Sequence, residues 1–122
     1  MAVLDTSFLI ALEQGDEAAV AWLRAHRTEE HVVPDFVAVE YLTGHTAEEE
    51  ALARLDEAFR IAHGDMDWVR ASVRLRKSLR TRKARFRTPD FWIAAWGQYL
   101  GTVVVTRNVK HFEAFGVPSE AW

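Results

Sequence analysis

The sequence predicts an α/β fold, a three-layer sandwich in which a short parallel sheet is flanked by helices. Three observations carry this. The runs Ala2-Val3-Leu4-Asp5, His31-Val32-Val33, Ile61-Ala62-His63 and Thr102-Val103-Val104-Val105-Thr106 are short and largely apolar, and the last is dense in β-branched residues. Longer stretches between them repeat apolar residues at helical spacing. Parallel neighbours need a crossover connection, and an intervening helix supplies it. The 122 residues fit one compact domain, 1–122, without a linker, repeat or low-complexity tract.

Each element follows from local chemistry. After the opening strand, Thr6 or Ser7 can cap a helix through Phe8-Leu9-Ile10-Ala11-Leu12, which Gly15 ends. Asp16 caps a second helix carrying Ala19, Val20 and Leu23, reaching Thr28 to Glu30. Pro34 stops the second strand, Asp35 caps a third helix, and Gly44 closes it. Thr46 and Glu49 form a capping-box pattern ahead of Leu52, Leu55 and Phe59. Asp65 opens a long helix in which Trp68, Ser72, Leu75 and Leu79 share one stripe and arginines occupy the rest. Asp90 opens the next helix, Gly101 ends it, and a turn through Arg107 to Lys110 follows the last strand.

Composition narrows the function. With 49% apolar and 27% charged residues the chain is a folded globular protein. It contains no Cys, so any metal must be held by oxygen or imidazole. Neither a membrane-length apolar run nor a signal-peptide pattern is present, which makes a cytoplasmic location the expectation. The net charge of -3 hides a basic run from Arg70 to Arg87, dense enough to attract a polyanion. The five histidines are scattered, read as surface residues, and only His111 lies near the proposed pocket.

Three acids stand in apolar settings where an ordinary surface carboxylate does not belong. Asp5 closes the first strand, Glu40 interrupts Phe36-Val37-Ala38-Val39 and Tyr41-Leu42, and Asp90 precedes Phe91-Trp92-Ile93-Ala94-Ala95-Trp96. Carboxylates brought together near a core repel one another unless a cation compensates them. With the amide of Asn108 they form a hard-oxygen set suited to Mg²⁺ or Mn²⁺ rather than Zn²⁺. Asp5 and the segment Thr106-Arg107-Asn108 both follow strands, at the carboxyl edge where such sheets bind ligands. Helix capping by Asp5 or Asp90, and turn formation by Asn108, are the structural alternatives.

Taken in order, Val3-Leu4-Asp5-Thr6-Ser7, Glu40 within its apolar helix, Thr88-Pro89-Asp90-Phe91-Trp92-Ile93-Ala94-Ala95, and Val104-Val105-Thr106-Arg107-Asn108-Val109-Lys110-His111-Phe112 resemble the PIN-domain ribonucleases. The pattern is most similar to the VapC toxins of toxin-antitoxin pairs. That resemblance implies a PIN-like fold and a Mg²⁺- or Mn²⁺-dependent endoribonuclease, with Asp5, Glu40 and Asp90 as metal ligands and catalytic acids, Asn108 beside them, and Thr6, Ser7 and Thr106 lining the pocket. It also implies a cognate VapB-type antitoxin and a homodimer. Where many PIN domains carry a fourth acid, this chain has Asn108, with His111 ahead of Phe112. One tightly held ion is therefore the expectation. Arg82, Arg85 and Arg87 precede Asp90 and are the candidate contacts to an RNA backbone, although such a run is commonly a solvated helix face. The aromatic residues Phe91, Trp92, Trp96 and Tyr99 are read as core and dimer contact. Other classes fit less well. A phospho-receiver domain would want an acidic pair at strand one, and a haloacid-dehalogenase-type phosphatase would want an Asp where Ser7 stands. A catalytically silent PIN domain that binds RNA or protein is the remaining alternative.

Overall fold

A computed structural model describes residues 1–81 and 88–122. Arg82, Arg85 and Arg87 lie outside the described residues. Five strands, β1 (Ala2–Leu4), β2 (Val32–Pro34), β3 (Arg60–Ala62), β4 (Val103–Val105) and β5 (Ser119–Glu120), form one sheet in the order β3-β2-β1-β4-β5. Every pairing is parallel, with Val3 opposite Val32 on one side and Val104 on the other. Strands of two or three residues suffice because both faces are covered: Val3, Leu4, Val32, Val33, Val104 and Val105 are all fully buried.

The covering helices are α1 (Thr6–Glu13), α2 (Glu17–Ala25), α3 (Asp35–Thr43), α4 (Glu48–Ala58), α5 (Met66–Thr81), α6 (Thr88–Leu100) and α7 (Val109–Ala114). Helix α6 packs against β1 and β4, burying Phe91, Ile93, Ala94, Ala95 and Trp96. Its Gly97 lets the helix approach closely, since a Cβ there would stand 2.8 Å from a Val104 methyl. Helix α5 lies against α6 with Ser72, Leu75 and Leu79 buried as the stripe predicts, and the Trp68 ring sits 5.3 Å from that of Trp96. Gly101 leaves α6 at φ 64°, the left-handed conformation that glycine adopts without strain. Among the described residues, no helix is long and apolar enough to cross a membrane.

Several local expectations need correction. Asp5, rather than Thr6 or Ser7, caps α1, because its own carboxylate accepts the N–H of Thr6, the first residue of the helix. The Thr46 capping box does not form: Ala47 precedes α4 without a side-chain cap, and three glutamates in the first turn complement the helix dipole instead. Helix α2 stops at Ala25, short of residues 28–30. Strand β3 begins one residue earlier than its apolar run, and β2 includes Pro34. Helix α7 and strand β5 are additional to the elements the sequence predicts. His31 is buried, with its Nε2 facing the His26 carbonyl at 3.0 Å, so the histidines are not all surface residues.

Candidate active site

The strand order explains where a site should form. Chain connections leave β1 towards β2 and β3 on one side and return to β4 on the other, so the strand order reverses between β1 and β4 while the strands stay parallel. Parallel sheets open a crevice beyond the carboxyl ends of the strands at such a point. Asp5 is the first residue after β1 and Thr106 the first after β4, and Leu4 and Val105 are paired in register. The Asp5 N–H continues the ladder by donating to the Val105 carbonyl at 3.1 Å. Both side chains are thereby delivered to the crevice.

There the buried Asp5 carboxylate is held by three donors. Oδ1 accepts from the Thr6 N–H at 2.7 Å; Oδ2 accepts from the Thr106 hydroxyl at 2.7 Å and the Ser7 hydroxyl at 3.2 Å. Thr106, itself fully buried, accepts the Asn108 N–H at 3.0 Å on the same oxygen, which ties the β4–α7 turn to the carboxylate. Burial holds the Asp5 carboxyl above the ordinary carboxylate range, the three hydrogen bonds oppose that rise, and the negative charge of Asp90 adds to it. Asp90 enters on the first turn of α6, with its side chain 14% exposed, and its Oδ2 is 3.1 Å from His111 Nδ1.

The expected residues are not all treated alike. Asp5, Ser7 and Thr106 are joined by hydrogen bonds at the sheet edge, Thr6 and Asn108 enter through their backbone N–H groups, and Asp90 stands on the first turn of α6 with its contact to His111. Glu40 is exposed on α3, and among the described residues no three His, Cys, Asp or Glu side chains are gathered closely enough to hold an ion. The sequence places His111 near the pocket, but its contact with Asp90 depends on α7, which sequence periodicity does not reveal.

A divalent cation fits what is assembled. Mg²⁺ needs only one or two carboxylates when water and substrate phosphate complete its octahedron. Asp5 and Asp90 are two carboxylates whose mutual repulsion a cation would relieve, and the surrounding donors are hard oxygen.

A family model for the PIN domain matches residues 2–117. The chain belongs to the PIN domain family. Solved structures agree with this PIN fold. FitAcB from Neisseria gonorrhoeae superposes with a TM-score of 0.81 at 23% identity, covering 98% of this chain and 96% of that one. VapBC2 from Rickettsia felis, bound to a DNA fragment from its promoter, gives 0.82 at 18% identity over 99% and 98%. A toxin-antitoxin complex from Klebsiella pneumoniae gives 0.74 at 27% identity over 92% and 90%. No curated protein matches this PIN domain significantly in sequence.

Proposed function

We propose that this PIN domain is the toxin of a VapBC-type pair and acts as a Mg²⁺- or Mn²⁺-dependent endoribonuclease that hydrolyses RNA phosphodiester bonds. The observation that carries the proposal is the buried Asp5 carboxylate, fixed by three hydrogen bonds just beyond β1 where the strand order reverses, with α6 packed on that strand and carrying the acid Asp90 in its first turn. Such a pair is costly as pure framework and useful as a cation seat. When bound, the cation would supply the charge that turns water into a nucleophile at neutral pH and that offsets the leaving oxygen.

Asp5 and Asp90 would hold it. Thr6, Ser7 and Thr106 fix the Asp5 carboxylate through their donors, so that its oxygens do not reorient when the ion or substrate arrives. Asn108, through its N–H, holds Thr106 in turn. Glu40 would join as the third ligand only if α3 brings it inward with substrate or partner. Arg82, Arg85 and Arg87 would guide the RNA backbone, and Arg85→Ala with Arg87→Ala should flatten the salt dependence of RNA binding. An unchanged slope removes them from the RNA path.

An antitoxin partner is part of the same reading, supported by the toxin-antitoxin complexes that share this fold. So are a cytoplasmic location, where RNA is available, and a homodimer. What supports the dimer is an apolar row on α5, where Met66, Val69 and Val73 are exposed, rather than the α6 aromatics, of which Phe91 and Trp96 are buried. The exposed Glu40 favours a second reading, a silent PIN domain that binds RNA or protein without cutting.

One assay separates the two. Purified protein, free of partner, is incubated with a mixed RNA pool and Mg²⁺ or Mn²⁺, beside a chelated control and Asp5→Asn. The nuclease reading predicts cleavage lost in both controls. Absence of cleavage by the wild-type chain favours the silent domain; cleavage retained in either control defeats the mechanism.

A further inference from the structure

His111 occupies a position that the carboxylate pair makes consequential. Its Nδ1 lies 3.1 Å from Asp90 Oδ2. A carboxylate has no proton to give, so Nδ1 carries the hydrogen and the tautomer is fixed by the partner. The imidazole is also held in place from below. It rides on α7, whose next residue Phe112 is fully buried and packs edge-on against Phe115, and α7 lies against α6, the helix that carries Asp90. Asp90 thus receives from α7 the same service that Asp5 receives from Thr106 and Ser7.

Resting on the metal reading above, we propose that His111 is a positioning residue for the cation seat: by donating Nδ1–H to Asp90 Oδ2 it pins the carboxylate rotamer and leaves the second oxygen available to a cation. Two observations set this apart from an ordinary surface ion pair. His111 is 52% exposed while Asp90 is 14% exposed, so the imidazole approaches from solvent onto a partly desolvated acid. The acid it touches is also the one whose charge acts on Asp5. Partners that orient a ligating carboxylate commonly change metal affinity by about 10- to 100-fold when removed. Being exposed, His111 can be replaced without opening a cavity.

The test is Mn²⁺ binding to metal-free protein, followed by calorimetry and by the loss of free Mn²⁺ electron paramagnetic resonance signal, with thermal melts of the metal-free chains as a folding control. Wild type is compared with His111→Ala and His111→Asn; the Asn amide can place an N–H near the Nδ1 position. The expectation is an affinity at least about tenfold weaker in His111→Ala, largely recovered in His111→Asn, with unchanged melts. Wild-type affinity in His111→Ala, or Asn behaving as Ala, overturns the inference while leaving the metal reading intact. No Mn²⁺ binding by the wild-type chain overturns the metal reading and the inference with it.

Discussion

At the scale of single residues, Asp5 combines two conflicting demands. As the cap of α1 and the acceptor of three hydrogen bonds it is structurally satisfied, yet burial and Asp90 raise its carboxyl above the usual 3.8. Between that value and the raised folded one, the native state binds more protons than the unfolded chain. Metal-free stability therefore falls as pH rises through this window and stays lowered above it. Asp5→Asn removes the titration, so its stability relative to wild type should be more favourable at pH 7 than at pH 4 in urea unfolding of metal-free protein. A difference independent of pH would show that the carboxylate is not strained. Thr106 gives a second prediction: Thr106→Val leaves the Asn108 N–H without its acceptor and removes one of the three donors to Asp5, and should cost about 1–3 kcal/mol, whereas Thr106→Ser retains both. Equal melting temperatures for the two variants would contradict this.

Among the elements, α6 and the segment leading into β2 are the most sensitive to substitution. Gly97 meets Val104 and Val117 so closely that Gly97→Ala must push α6 from the sheet, at about 1–3 kcal/mol despite the better helix propensity of Ala. A stabilised variant would mean the approach is looser than described. The buried His31 makes the segment before β2 pH-sensitive. Burial lowers its pKa, the neighbouring amino terminus and His26 lower it further, and Glu29 and the His26 carbonyl act the other way. Below pH 6.5 the unfolded chain takes up a proton that the native ring resists, so stability is lost as pH falls from 6.5 towards the lowered folded value. His31→Gln should flatten that loss in denaturation followed from pH 7 to 5; an identical profile would place the titration elsewhere.

The elements also show what sequence can disclose. Strands β1 and β4 were legible because burial on both faces demands continuous apolar runs, and α5 because its stripe is long. Helix α7 and β5 span Val109–Ala114 and Ser119–Glu120, too short for any periodicity to emerge. Asp5 and Asp90 were legible as acids out of place beside core segments. Glu40 carried the same signal, but α3 turns it to solvent while Val37 and Ala38 face the core, since a nine-residue helix with apolar residues all round does not declare which side is buried. The His111–Asp90 contact joins residues 21 apart and depends on tertiary packing alone.

For the whole molecule, the order β3-β2-β1-β4-β5 places the crevice at its centre, between residues as distant in sequence as Asp5 and Thr106. A cation that binds only the folded state should stabilise all of it, by about 2.7 kcal/mol at a hundredfold excess over Kd. The α5 row predicts that Val73→Glu shifts the solution mass towards a monomer in light scattering, without loss of fold; an unchanged mass would move the interface off α5.

The most direct test of the account is calorimetric titration of metal-free protein with Mn²⁺, wild type beside Asp5→Asn and Asp90→Asn. Saturable binding by the wild-type chain is expected, abolished or severely weakened by both substitutions while each variant remains folded. Wild-type protein that takes up no cation, or variants that bind it undiminished, would contradict it.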